Sequence, residues 1–320
     1  MHFKNNKIIL FLRYLIAFGI VAVLVIHVRN QYNIISILEG FNFQILLPVL
    51  LILTLHLFFL FIAWRLIIIK IGCIKPEEHR IVHSFLGGRA LGLITPAQSG
   101  ELLKGLFFSA ESRNVVTSLS LIYAAYELFV RTILGCISLA YLSHRELLLY
   151  NLNQHFAIIL IILFILVVII VLLLRKENII KVLLSYMPNR LIELYTILKY
   201  QLRTTSVLWF ISISILILIA NSLAAFSFML ILSGFNINIM NMDGFMIYLI
   251  SYMIMSLISI TPSGIGINEG ARLYFFSLIG CNQAAILCSS LIMFGINIVF
   301  PAIVGIWSLR YFLQKVPKAT

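Results

Sequence analysis

Long apolar segments separated by short polar ones make up most of this chain. Segments long enough to cross a bilayer as helices, roughly 17–25 residues, are predicted at 8–28, 45–64, 115–142, 157–174, 206–232 and 284–309. Two further apolar segments, 81–94 and 244–260, are shorter, and each ends at a Thr-Pro dipeptide. The pattern predicts an all-α integral membrane protein with about six full spans and two interrupted segments.

The two interrupted segments end in the same signature. The first motif, residues 95–104, reads Thr-Pro-Ala-Gln-Ser-Gly-Glu-Leu-Leu-Lys; the second, residues 261–272, reads Thr-Pro-Ser-Gly-Ile-Gly-Ile-Asn-Glu-Gly-Ala-Arg. Proline ends a helix because it lacks an N–H and restricts the residue before it, and glycine lets the backbone turn. Glutamate with a base three positions on suits the first turn of a new helix. Each motif therefore predicts a helix end, a turn and a short second helix.

The basic residues predict the membrane topology. The chain is 62% hydrophobic and 11% charged, which excludes an ordinary soluble domain. Its net charge of +12 is better explained by membrane topology than by binding to nucleic acid, because cytoplasmic loops collect Lys and Arg. The N-terminus, 65–80, 175–205 and the C-terminus hold two, four, six and three bases, whereas 29–44, 143–156 and 233–243 hold one, one and none. The first group, with both termini, is predicted to be cytoplasmic in the cell (inner) membrane.

This topology makes each interrupted segment enter and leave the membrane on one side, as a re-entrant hairpin. The two hairpins then enter from opposite faces. We predict a single domain, 1–320, built as an inverted repeat of two halves, about 8–142 and 157–309, each reading span, span, hairpin, span. The basic, apolar-patterned linker 175–205 suits helices lying on an anionic membrane surface.

The predicted site lies between the two hairpin tips, toward which two helix N-termini would point. Such termini favour an anion, phosphate above all. Lys104 and Arg272 would add charge-assisted contacts, whereas Glu101 and Glu269 would repel an anion unless paired. Three roles stay open for these acids: capping the helices, pairing with the bases, or binding a cation or proton. The candidate binding residues in the motifs are Thr95, Gly100, Glu101, Lys104, Thr261, Gly264, Gly266, Glu269 and Arg272.

Three other ionisable residues join the candidate site, because charges at membrane depth are costly and usually functional. Glu127 and Arg131 stand four apart on one helix face, so they either pair or line the cavity. Arg89 either faces the site or extends to the cytoplasm. No cofactor or metal is expected: His79 and His83 lack a third ligand, and the glycines of the second motif have the wrong spacing for a dinucleotide loop. No soluble segment is long enough for a catalytic domain, so an enzyme is not predicted.

Two stretches of this chain resemble the membrane domain of the lysylphosphatidylglycerol synthase/flippase family. The first is Gly88-Arg89-x-x-Gly92-x-x-Thr95-Pro96-x-x-x-Gly100-Glu101-x-x-Lys104, and the second is Thr261-Pro262-x-Gly264-x-Gly266-x-x-Glu269. The resemblance covers essentially the whole chain. It implies a phospholipid translocase, with Glu101, Lys104 and Glu269 at matching motif positions. The aminoacyl transferase domain that follows in bifunctional members is not expected here.

The first hypothesis is a flippase-like transporter that moves an anionic or zwitterionic phospholipid, or a lipid-linked headgroup, between leaflets. A second is an accessory protein that holds a lipid-linked intermediate for a separate glycosyltransferase or lipid-modifying enzyme. A third is an ion-coupled solute transporter. The expected partners are a membrane phospholipid and either a second copy of the chain or a lipid or glycan enzyme, without nucleic acid.

Overall fold

The computed structural model describes residues 34–72, 74, 76–95, 98–145, 206–258 and 261–315, with isolated pieces at 19–20, 22–26, 196 and 200. In these ranges every regular element is helical. They are α1 Ile34–Glu39, α2 Leu46–Leu66, α3 Glu78–Ile94, α4 Ala110–His144, α5 Val207–Ser233, α6 Met242–Ile258, α7 Ile267–Ser277, α8 Gln283–Phe294 and α9 Phe300–Lys315. Between them lie 3-10 segments at Phe43–Ile45 and Ser99–Phe107 and π-helical turns at Ile67–Ile71 and Gly295–Val299.

The protein is a multi-pass helical membrane protein. Four helical stretches in the described ranges are long and apolar enough to cross a bilayer: Phe43–Ile71, Glu111–His144, Val207–Ser233 and Gln283–Arg310. They confirm four of the six predicted spans. Most of the predicted span 8–28, all of the span 157–174, and most of the linker 175–205 lie outside the described residues. The inverted repeat, the re-entrant depth of the interrupted segments and the division into two halves stay predictions.

Helix α2 shows why so apolar a chain needs a bilayer. Leu47, Leu51, Leu55 and Phe58 recur at helical spacing and remain exposed on one face of α2. The opposite face buries Val49, Leu53, His56, Leu60 and Ala63 against its neighbours. A helix that is apolar on both its buried and its outer face is suited to lipid rather than water.

The first motif turns the chain back onto α3. The helix ends at Ile94, where Thr95 takes an extended conformation, and Gln98 is left-handed. The following segment, Ser99–Phe107, packs along α3. The approach is close at Gly88 of α3, because a Cβ added there would lie only 2.7 Å from Lys104 Cε. The predicted second helix is therefore present but is wound as a 3-10 helix, which is tighter than the expected α-helix. Pro96 and Ala97 lie outside the described residues.

The second motif makes a different turn. Helix α6 ends at Ile258, and Ser263, Gly264 and Gly266 all have positive φ. The two glycines adopt φ values of +73° and +85°, which side chains with a Cβ rarely take. Helix α7 begins at Ile267 and packs on α6. Here the predicted short α-helix is confirmed.

The two motif regions lie in one packed body. Helix α4 packs against both the 3-10 segment and α6, so it connects the first motif region to the second. Helix α3 packs closely on α9, where a Cβ at Gly305 would meet the Leu86 carbonyl. One apolar cluster contains buried residues of α2, α3 and α4, among them Trp64, Phe85 and Tyr123. A second surrounds α5, α6 and α7 and includes Phe228, Tyr248 and Phe276.

Candidate functional site

The two motifs meet inside the protein. The Ser263 hydroxyl lies 3.2 Å from the carbonyl oxygens of both Gly92 and Leu93, at the end of α3. Beside this contact lies a small cavity of about 20 Å³, whose lining includes Arg89 and Gln98 from the first motif region and Asn268, Glu269 and Arg272 from the second. The starts of both short helices thus border the same cavity, as the sequence predicted for a shared site.

The cavity is closed to anything large. A cavity of about 20 Å³ holds roughly one water molecule. Its remaining lining is mixed: His56, Tyr252 and Asn297 are polar, and Met255, Met293, Phe294 and Ile298 are apolar. A group of more than a few atoms does not fit into this volume.

Glu101 of the first motif is the centre of a buried ion cluster. Its Oε2 accepts a hydrogen bond from Lys104 Nζ at 2.9 Å, and its Oε1 lies 3.3 Å from Arg89 Nη1. Glu101 and Arg89 side chains are 13% and 12% exposed, and Lys104 only 1%. Of the roles open to Glu101, pairing with bases is the one that the geometry supports, and Arg89 faces the site.

Lys104 is enclosed by aromatic rings. Its Nζ lies 4.4 Å from the ring centroid of Tyr123, 4.9 Å from Trp64 and 5.7 Å from Phe85. These are cation–π distances, and in a desolvated site each such contact is worth about 2 kcal/mol or more. Lys104 does not belong to the cavity lining. Its contacts stabilise the ion cluster behind the cavity wall.

Glu269 is used differently. Its Oε2 accepts a hydrogen bond from the Gly266 backbone N–H at 2.6 Å, which caps the start of α7. Arg272 lies one turn on, with its guanidinium 4.8 Å from the Phe228 ring centroid and 5.2 Å from that of Tyr248. Both Glu269 and Arg272 line the cavity. Capping is therefore the role the geometry supports for Glu269, and Arg272 is held by aromatic faces rather than by a close carboxylate.

Glu127 and Arg131 form an i, i+4 ion pair on α4, with Nη2 and Oε2 3.3 Å apart. The guanidinium of Arg131 also lies 4.5 Å from the ring centroid of Tyr252, and its Nη1 donates to Ser256 Oγ at 3.4 Å. Because Tyr252 lines the cavity and Arg131 does not, this pair supports the cavity wall from behind.

The other predicted site residues shape the turns. The Thr95 hydroxyl accepts from the Gly100 N–H at 2.6 Å and donates to the Leu91 carbonyl at 3.0 Å. The Thr261 hydroxyl donates to the Ile265 carbonyl at 2.8 Å. Gly100 packs so closely that a Cβ there would meet the Leu91 carbonyl. None of Thr95, Gly100, Thr261, Gly264 and Gly266 belongs to the cavity lining, so these residues position the binding groups.

Sequence reasoning missed several polar residues that the structure places in the cavity lining: His56, Gln98, Tyr252, Asn268 and Asn297. His56 carried a readable signal, because it is an ionisable residue in the middle of an apolar 21-residue helix. No sequence signal pointed to Asn297, because its position in the lining depends on the π-helical turn Gly295–Val299.

The guanidinium of Arg89 gives the cavity its chemical character. Its Nη1 contacts Glu101, but its Nε and Nη2 are buried and have no hydrogen-bond partner among the residues that the structure describes. Unpaired buried donors are costly, and an anion within hydrogen-bond distance would satisfy them. The seven charged side chains of this region also favour an anion, since the bases Arg89, Lys104, Arg131 and Arg272 outnumber the acids Glu101, Glu127 and Glu269 by one.

A comparison with protein families gives one match, to the family described as the lysylphosphatidylglycerol synthase TM region, over residues 10–305. This range contains both motifs, the ion cluster and all residues that line the cavity. A comparison with curated proteins found no match. Since the matched range takes in nearly the whole chain, this protein belongs to the family of lysylphosphatidylglycerol synthase transmembrane regions.

Proposed function

We propose that this protein is a flippase-like transporter that moves a phospholipid, or a lipid-linked headgroup, between membrane leaflets. The single observation that carries the proposal is the unpaired N–H edge of Arg89, a residue of the cavity that both motif regions line. Arginine presents these donors in a planar fork that matches the oxygens of a phosphate. Membership of a lipid-related membrane family supports a lipid as the bearer of that phosphate.

The proposed mechanism separates the headgroup from its acyl chains. When the region around the cavity opens, the phosphate binds between Arg89 and Arg272, and the acyl chains stay in the bilayer. Release toward the other leaflet requires a second conformation in which the opposite side opens, because a site open to both faces at once would leak ions. In this proposal the protein catalyses no chemical reaction of its own, and its ligand is a membrane phospholipid.

We also propose the membrane placement that fits this mechanism. Both termini are cytoplasmic in the cell membrane, and α3 with Ser99–Phe107 and α6 with α7 are re-entrant hairpins of an inverted repeat. Cysteines at Ser36 and Met240 should react with an impermeant maleimide from outside, and a cysteine at Glu193 only after permeabilisation. The re-entrant placement would be contradicted if Ser99→Cys or Ser263→Cys reacted with the maleimide as fast as the cysteines at these loop positions.

The transport proposal is tested in proteoliposomes with acyl-labelled fluorescent phospholipids, using dithionite to quench label in the outer leaflet. Wild-type protein should make the inner-leaflet label accessible. Arg89→Gln should reduce the rate about tenfold or more, because it removes charge-assisted contacts worth about 1.5–3 kcal/mol. Arg65→Gln is a matched control, since Arg65 pairs with Glu78 at the surface, away from the cavity.

Two outcomes would count against this proposal. If wild-type protein leaves the inner-leaflet label protected, the protein does not flip lipid under these conditions. If it then still binds a phospholipid through Arg89, the accessory role of holding a lipid intermediate replaces transport. Equal rates for wild-type protein and Arg89→Gln would remove Arg89 from the site.

A further inference from the structure

His56 is the buried titratable residue of the cavity that neither motif contains. It lies in the middle of α2, with 1% of its surface exposed, and it lines the cavity together with Arg89 and Arg272. An ionisable side chain at this depth is rare and marks a functional site by default.

One ring nitrogen of His56 is already committed. Nδ1 lies 2.8 Å from the backbone carbonyl oxygen of Ala220 on α5. A carbonyl oxygen only accepts hydrogen bonds, so Nδ1 carries the ring proton. A second proton would add a positive charge beside two guanidinium groups in a buried cavity, which desolvation and like charge both oppose. Nε2 is then left with a lone pair as the acceptor available to the cavity.

The residues that line the cavity thus carry two kinds of unsatisfied group. The Nε and Nη2 atoms of Arg89 are donors without a partner among the described residues, and Asn297 Oδ1 is an acceptor in the same situation. His56 Nε2 adds a second acceptor. Phosphate oxygens satisfy the donors, but they carry no hydrogen to give to the acceptors at neutral pH. The cavity has room for about one water molecule, which could donate to both acceptors, so a phosphate that displaces it leaves both acceptors without a donor.

We infer that His56 selects the headgroup by accepting a hydrogen bond from an O–H or N–H group that lies next to the phosphate. The inference rests on the proposed function and names its substrate class: phospholipids with a hydroxyl- or amine-bearing headgroup, such as glycerol or ethanolamine. Choline carries the same phosphate but has no donor hydrogen, so it leaves His56 and Asn297 unpaired. A site built to bond such a donor rejects an analogue that lacks it.

The test compares headgroups as well as variants. His56→Asn places an amide N–H near the position of Nδ1, so the bond to Ala220 is kept while the Nε2 acceptor is lost. In proteoliposomes, wild-type protein should move fluorescent phosphatidylglycerol and phosphatidylethanolamine faster than phosphatidylcholine. His56→Asn should reduce this preference roughly two- to tenfold, the change that loss of one neutral hydrogen bond produces. His83→Asn is the matched control, because His83 bonds Ser308 away from the cavity.

The outcomes separate selection from packing. If His56→Asn slows all three lipids by the same factor, or changes nothing, His56 is not the selecting residue. Should His56→Asn fail to fold, His56→Gln replaces it, since its amide oxygen reaches toward the position of Nε2 and should retain the preference. Loss of the preference in a folded His56→Gln, with the rate for phosphatidylcholine unchanged, would also overturn the inference.

A second measurement distinguishes this inference from the transport proposal. Native mass spectrometry of purified protein offered equal amounts of the three lipids reports binding without movement. If wild-type protein flips no lipid but retains the donor-bearing lipids in preference to phosphatidylcholine, and His56→Asn does not, transport fails and the inference stands. Equal retention of all three lipids by wild-type protein would overturn it.

Discussion

The two motifs carry the same residue types in the same order, yet the structure uses them differently. In the first, Glu101 binds two cations, Arg89 at 3.3 Å and Lys104 at 2.9 Å. In the second, Glu269 caps its own helix through Gly266, and the nearby Arg272 rests on aromatic rings. The first motif region therefore contributes an ion cluster of two bases and one acid, and the second contributes a capped helix and a cation that no carboxylate of the described residues contacts closely.

The bases of the two motifs also lie in different places, although the shared signature makes them look equivalent. Lys104 is almost fully buried behind the cavity wall, whereas Arg272 lines the cavity. The cation of the first motif region that lines the cavity is instead Arg89, six residues before the motif begins at Thr95. A repeated sequence motif thus predicts where a site lies better than it predicts which member of the motif binds.

The largest expected difference is in the free energy of unfolding lost when each of the two acids is neutralised. Glu101→Gln leaves Arg89 and Lys104 without a counter-charge, so it should lower the free energy of unfolding by about 3–5 kcal/mol. Glu269→Gln keeps an oxygen that can accept from Gly266 and loses only the negative charge at the start of α7, so it should lower the free energy of unfolding by about 0.3–1 kcal/mol. Unfolding in detergent, followed by tryptophan fluorescence, measures both. Equal losses would mean that the two acids have the same role.

The two motif bases should separate stability from transport. Lys104→Met removes one partner of a buried ion pair together with three cation–π contacts, so stability should fall by about 3–5 kcal/mol. Trp64 fluorescence should also change, because the ammonium lies 4.9 Å from its ring. Arg272→Met should reduce lipid transport per folded molecule more than Lys104→Met does. The reverse order in the flipping assay would return Lys104 to the binding surface.

The glycines beside the two acids form the next test. Gly100→Ala directs a methyl group at the Leu91 backbone carbonyl, which cannot move freely, so a loss of about 1–3 kcal/mol is expected. Gly270 is the counterpart in α7, where a Cβ would have its nearest neighbour at 4.0 Å. Gly270→Ala should be neutral or stabilising by up to about 1 kcal/mol, because alanine favours the helix. Thermal unfolding compares the two, and a neutral Gly100→Ala would contradict the close approach.

The smallest effect is expected for the bond that joins the motifs. Ser263→Ala removes the hydroxyl shared by Gly92 and Leu93 and should cost about 0.5–1.5 kcal/mol. Ser277→Ala is the control, since its exposed hydroxyl bonds only the preceding turn at Tyr274. If both variants unfold at the same temperature, the hydroxyl of Ser263 does not stabilise the contact between the motifs.

The sequence predicted the helical architecture and the position of the site because both follow from simple patterns. Apolar length identified the described spans, and Thr-Pro with glycine located the two turns. The charges Arg89, Glu269 and Arg272 were predicted to share one site on the basis of their cost at membrane depth, and all three line the cavity. These signals are local, so they can be read without knowing how the helices pack.

The remaining details depend on tertiary packing. The 3-10 winding of Ser99–Phe107 accompanies the close approach of Gly100 and Gly105 to neighbouring backbone, which no local pattern encodes. Lys104 and Arg272 look equivalent in sequence, and only the position of Trp64 and Tyr123 shows that Lys104 is enclosed. His56 could have been found from sequence, but its hydrogen bond to Ala220, 164 residues away, could not.

The π-helical turn Gly295–Val299 has a consequence for how this chain tolerates changes of length. Such a turn accommodates one residue more than an α-helical turn, so it is equivalent to an insertion within a continuous helix. Deleting one residue there would restore α-helical winding and leave the helix beyond the turn in its present rotation, so Gly305 would still face Leu86 at the contact between α9 and α3. The same deletion in the α-helical part that follows would rotate everything after it by about 100°. The turn is therefore the place in this helix where the loss of one residue is a local change, although it would move Asn297, which lines the cavity.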